Sequence, residues 1–196
     1  MENNIDIILD AIENRTRREI IKRLILRDQY PLQLAKDLRV SQQAIMKHLE
    51  ILEKSNIVKL KGMEKSDQGP QRKVYEINQS FLLTISLTPN FFEIRKVDVK
   101  ENENKLEKED LDYLIGKLKE TENKIKEIEK ELVELVELKD SIVSKINEMI
   151  GKKIKNEMER NVLISYLSSL DIEKVSEETN VPEYLIKTMI GKFFED

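Results

Sequence analysis

The sequence predicts a mainly α-helical chain with one small β-ribbon, in which a compact N-terminal domain precedes a long coiled-coil helix and a small C-terminal helical unit. Three observations predict it. The stretch VSQQAIMKHLEILEK (40–54) sets Ile45, Leu49 and Leu52 at helical spacing behind a capping serine, with amides and cations on the other side. Two alternating runs, IVKLKG (57–62) and RKVYEI (72–77), flank the turn-prone SDQGPQ (66–71). From Leu111 to Met149 apolar residues recur with a period of seven.

A chain of 196 residues has room for two units. With 37% charged residues, 5% aromatics and no tryptophan, solvated helices should dominate over one large core. The net charge of -4 is unevenly spread: residues 1–78 carry 15 Lys and Arg against 12 Asp and Glu, the remainder 19 against 26. The first part suits a polyanion and the second would repel one. No cysteine is present, so disulfides, thiolate metal sites and thiol nucleophiles are excluded, and the single histidine, His48, excludes multi-histidine sites. Nothing approaches 18 consecutive apolar residues, and MENNIDIILD lacks the basic start of a signal peptide. A cytoplasmic protein with no membrane contact is expected.

Taken in order, IDIILDAI (5–12) places Ile5, Ile8, Leu9 and Ile12 on one helical face, and Asn14 resets the chain. In RTRREIIKRLIL (15–26), Ile20, Ile21, Leu24 and Ile25 form a stripe with arginines and a lysine on the polar side. Pro31 suits a first helical position, and Leu34, Ala35 and Leu38 give the next short helix its apolar face before a turn at Arg39 and Val40. Ser41 caps the fourth helix, whose outward side holds Gln42, Gln43, Met46, Lys47 and Glu50. Two short, tightly joined helices followed by a ribbon with a basic, glycine-containing tip make a winged helix-turn-helix over residues 1–78. Residues 79–104 read as a second hairpin and linker, because FLLTISL alternates and Pro89 and Asn90 turn the chain. Phe81, Leu83, Ile85 and Leu87 are expected on one side of it. That side, with Phe91 and Phe92, lines an effector pocket on one reading, and joins domains or packs at a dimer seam on the other.

Residues 105–160 are assigned to the coiled-coil helix. Leu111, Leu118, Ile125, Leu132, Lys139 and Ile146 make one core series, and Leu114, Thr121, Ile128, Leu135, Ile142 and Met149 the other. An isolated rod of this length is unstable, so a second chain should cover it and form a homodimer. A parallel pair brings Lys117 near Glu122 and Lys124 near Glu129 across the seam. In residues 161–196, Val175, Val181, Ile186, Ile190 and Phe193 fall where Leu34, Val40, Ile45, Leu49 and Leu52 stand in the first domain, which gives the tail a helix-turn-helix pattern. Seven acids against three bases suit a protein partner there, not phosphate.

IENRTRREIIKRL, LQLAKDLRVSQQAIMKHLEILEKSNIV and GPQRKVYEI together resemble the ArsR family of winged-helix transcription regulators over residues 5–78. The wing, the LTPNFF segment and the long tail are similar in character to the archaeal heat-shock regulators of that family. The resemblance implies double-stranded DNA as partner and a repressor's role. Metal-sensing members carry cysteines on the helix matching residues 32–38, which here reads LQLAKDL, so no metal and no cofactor is implied.

A helix of this kind enters the major groove, where an amide can pair with an adenine edge. Gln42, Gln43, Met46 and Lys47 are therefore the candidate base readers. Arg15, Arg17, Arg18, Ser41, His48, Lys65, Gln68, Gln71, Arg72 and Lys73 are the candidate phosphate and wing contacts. A homodimer would read a palindrome. The rival from another class is a protein-interaction adaptor that docks through winged helix and coiled coil without reading sequence. An enzyme is disfavoured: no Walker loop or GxSxG occurs, and His48 has no evident orienting acid.

Overall fold

A computed structural model describes residues 4–66, 69–100 and 110–195 of the chain. It separates into two compact units, residues 1–84 with 94–102, and residues 85–93 with 103–196. The division thus runs through the second hairpin, whose stem belongs to the first unit and whose tip to the second.

In the first unit, α1 (Asn4–Glu13) and α2 (Arg15–Leu26) are separated by Asn14, whose side-chain oxygen accepts from the amides of Thr16 at 2.9 Å and Arg17 at 3.3 Å. This is an N-cap that stops one helix and starts the next. Helix α3 (Pro31–Leu38) begins at its proline and ends at Arg39, which takes the left-handed conformation with φ 56°. That tight exit leads to α4 (Gln42–Lys54), where the Ser41 hydroxyl accepts from the Ala44 amide at 3.2 Å. Ile8, Ile20, Leu34, Ile45, Leu49 and Leu52 are fully buried together. Ile25, expected on the inner stripe of α2, is instead 67% exposed, because the face centred on Ile20 and Leu24 has already rotated past it.

The ribbon is longer than its alternating runs suggest. Strands β1 (Val58–Ser66) and β2 (Gly69–Ile77) pair antiparallel from Val58↔Ile77 to Ser66↔Gly69, so most of SDQGPQ is strand. Irregularities between Leu60 and Gly62 and between Glu64 and Ser66 adjust its twist. A third, one-residue strand lies alongside: the amide of Gln29 donates to the Tyr75 carbonyl at 3.3 Å, and the amide of Tyr75 to the Gln29 carbonyl at 3.0 Å. The link between α2 and α3 is thereby sewn to the ribbon.

Strands β3 (Phe81–Leu87) and β4 (Phe92–Asp98) form the second hairpin, turned through Pro89 and Asn90. Its apolar face does not follow the simple alternation. Phe81 and Leu83 are half-buried but Ile85 and Leu87 are exposed, and Ser86 is the more covered residue between them. The sides exchange near the point where the strand passes from one unit to the other.

In the second unit, α5 (Leu111–Lys153) has 43 residues, about 65 Å at ~1.5 Å per residue. Leu111, Leu118, Ile125, Ile128, Leu132, Leu135, Ile142 and Met149 are all exposed in the single chain, whereas Leu114 and Ile146 are half-buried. Towards the end of α5 the covered residues are Val143 and Ile150, one place along the heptad from Ile142 and Met149. Lys117 and Lys124 both hydrogen-bond Glu120 at 2.8 Å and hold its carboxyl down at about 2. Helices α6 (Glu157–Ser169), α7 (Ile172–Thr179) and α8 (Glu183–Glu195) gather around Val162, Val175, Val181 and Ile186. Asn156 and Asp171 cap α6 and α7. The exit from α7 repeats that from α3: Asn180, φ 54°, then a valine, as Arg39 precedes Val40.

Candidate nucleic-acid interface

The candidate face is on α4. With Ile45, Leu49 and Leu52 turned inward, Gln42, Gln43 and Lys47 stand exposed on the outer face and Met46 is half-buried beside them. The Ser41 cap fixes the first turn, so the two amides project from a defined helix start. Glu50, one turn further, is also exposed and puts a negative charge beyond the amides and the lysine.

His48 and Arg17 occupy different positions from those their chemistry suggests. His48 is half-buried, its Nδ1 is buried without a hydrogen-bond partner, and burial followed by the nearby Arg17 cation holds its pKa below the ordinary 6.5. Arg17 itself is only 6% exposed. Its Nε donates to the Ala11 carbonyl at 2.5 Å, and an Nη2 hydrogen bond reaches the Asp10 carbonyl. The expected phosphate contact at Arg17 is therefore replaced by a structural one: the guanidinium satisfies carbonyls left open at the end of α1. Arg18 closes the same helix end from outside, donating to the carbonyls of Ile12 at 2.6 Å and Glu13 at 2.5 Å. Arg15 is exposed and remains open to an anion.

On the ribbon the cations divide by height. At the base, Lys59 and Lys61 are neutralised by Glu76 at 3.3 and 3.6 Å, and Lys61 also pairs with Asp28. Higher up, Arg72 and Lys73 are exposed and make no ion pair with the described residues, and Gln71 is exposed on the same strand. Arg72 stacks over the ring of Tyr30, 4.7 Å from its centroid. Gln68 and the Lys65 side chain lie outside the described residues. Tyr30 is the residue that sequence reasoning missed, and its only signal was an aromatic immediately before Pro31.

The arrangement is that of a winged helix-turn-helix, in which a capped helix offers amides and a cation and a β-ribbon offers further cations. Residues 14–59 match the family model described as "Bacterial regulatory protein, arsR family", a match that supports a DNA-binding transcription regulator. Among solved structures, HlyU from Vibrio cholerae is similar at 24% identity and TM-score 0.33, covering 41% of this chain and 84% of its own. HlyU from Vibrio vulnificus, at 24% identity and TM-score 0.31, covers 38% and 71%. An ArsR family transcriptional regulator, at 23% identity and TM-score 0.33, covers 39% and 78%. A comparison with curated proteins gives no match. Among the described residues no helix is long and apolar enough to cross a membrane, and no group of three His, Cys, Asp or Glu is placed to hold a metal ion.

Proposed function

We propose that this chain is a homodimeric, sequence-specific repressor that lays α4 in the major groove at each half of a palindromic promoter site. The observation that carries the reading is the exposed Gln42–Gln43–Lys47 face immediately after the Ser41 cap, within the segment that matches the arsR model. An amide in the first turn of such a helix can donate to and accept from an adenine edge in one plane. Arg15, Arg72 and Lys73 then neutralise phosphates, which gives affinity without sequence information.

The dimer forms through α5. Its exposed apolar series from Leu111 to Leu135 is the face that a second copy covers. Lys139 interrupts that series before it resumes at Ile142, Ile146 and Met149, because within its own chain it pairs with Glu93 at 3.0 Å and lies over the Phe91 ring. The likeness to the archaeal heat-shock regulator Phr adds stress-response promoters as the targets. Selection from random duplexes at low salt tests the reading: an enriched inverted repeat with half-sites about one helical turn or a multiple apart is expected. A pool with no enriched repeat overturns it.

A further inference from the structure

The second unit contains a cavity of about 340 Å³ between the hairpin tip and helices α6 and α7. One wall is built before any ligand arrives. The backbone amide and side-chain amide of Asn90 donate to the two carboxylate oxygens of Asp140 at 3.1 and 3.0 Å, which pins the tip to α5. Lys139 lies 4.5 Å from the centroid of the Phe91 ring while pairing with Glu93, so Phe91 is almost completely covered. The neighbouring Phe92 is not: it remains 63% exposed although it lines the cavity, and Ile164 of α6 lines it as well. An apolar wall of this kind suits the body of a small molecule.

The polar side is unusual in its charges. Lys174 and Glu178 are four residues apart on α7, a spacing at which opposite charges ordinarily meet. They do not meet here. The Glu178 carboxylate accepts from the Ser165 hydroxyl at 2.7 Å, and the Lys174 ammonium has no acid within ion-pair distance among the described residues. Both line the same cavity. An anion alone would meet the ammonium but suffer the carboxylate, and a cation alone would suffer the ammonium. A molecule that carries both charges meets each with its opposite and leaves its apolar part for Phe92 and Ile164.

We propose that this cavity binds a small zwitterion of the amino-acid type with an apolar side chain, its carboxylate at Lys174 and its ammonium at Glu178. The site does not depend on the DNA-binding reading, since ligand binding is measured without a duplex. Calorimetric titration of the full chain would use leucine and phenylalanine, the corresponding acids lacking the amine, and the corresponding amines lacking the carboxylate. Saturable binding of a zwitterion at one per chain is expected, with each singly charged analogue weaker by about tenfold or more. K174Q and E178Q, both at exposed positions, should each weaken the zwitterion by about the same factor while leaving the thermal unfolding of the chain within a few degrees of the unmodified protein, and F92S should weaken phenylalanine and leucine alike. No binding by either amino acid overturns the site. Equal binding of a singly charged analogue, or unchanged binding by both charge variants, overturns the zwitterion assignment.

Discussion

The guanidinium of Arg72 on the ribbon lies 4.7 Å from the ring centroid of Tyr30, the residue that precedes α3. The stack holds a wing cation in place before any nucleic acid is bound, and so reduces the ordering that a flexible arginine would require. Arg72→Ala should weaken every duplex to a similar extent and make the logarithmic salt dependence shallower by about 0.9, the contribution of one phosphate. Tyr30→Leu keeps the charge and removes the platform. It should lower affinity less and leave the salt slope unchanged, as fluorescence anisotropy over a series of salt concentrations would reveal.

Gln43 is exposed on α4 and contributes nothing to the core, so its replacement tests reading without disturbing folding. Gln43→Ala should lose about 1–3 kcal/mol of discrimination at one base pair of the selected site, with little change on random duplexes. Competition between the selected site and its single-base variants measures this directly. An unchanged preference would remove Gln43 from the readers.

Arg17 makes the opposite prediction from the other arginines. Buried and bonded to the carbonyls of Ala11 and Asp10, it belongs to the packing of α1 on α2. Arg17→Met should destabilise the first unit by about 2–3 kcal/mol, the usual cost of losing charge-assisted hydrogen bonds and leaving acceptors open. The salt slope of DNA binding should stay as it is. Urea unfolding followed by amide signals of Ile20 and Leu49 separates the two effects.

These positions also mark what a one-dimensional reading can reach. Ile45, Leu49 and Leu52, the Ser41 cap and the two ribbon strands were legible because each follows from local spacing or a local hydrogen bond. Arg17 was not, since a guanidinium buried against carbonyls six and seven residues earlier has the same sequence signature as one facing solvent. Lys139 interrupts the heptad for a reason 46 residues away, its pairing with Glu93 at the hairpin tip. Ile85 and Leu87 kept an alternating pattern while the strand changed its surroundings, which no period-two rule registers. Tyr30 acquires its partner only through the folded ribbon, which brings Arg72 of β2 beside the link between α2 and α3.

The exposed series on α5 predicts an oligomerisation phenotype. Ile128 lies at its centre, 63% exposed in the single chain. Ile128→Glu places a charge where a second copy would bury it, a position that tolerates no unpaired carboxylate. The variant should sediment as a monomer at concentrations at which the unmodified chain is a dimer, and its affinity for the selected palindrome should fall to that for a half-site. A dimer that survives the substitution would move the interface away from this face.

The only histidine gives a pH dependence with a fixed sign. Burial, and then the Arg17 cation, depress the pKa of His48 below its ordinary 6.5, so the folded chain binds a proton there less readily than the unfolded chain does. Above 6.5 both states are neutral at this residue and it contributes no slope. As the pH falls from 6.5 towards the folded value the unfolded state takes up more protons, so stability declines; below that value both are protonated and the slope vanishes again. A single imidazole resonance should titrate with a midpoint below 6.5. In Arg17→Met the midpoint should rise, because one of the two causes has been removed. His48→Gln should abolish this part of the stability loss between neutral and mildly acid pH. A midpoint at or above 6.5 in the unmodified chain would place the ring in solvent, free to meet a phosphate.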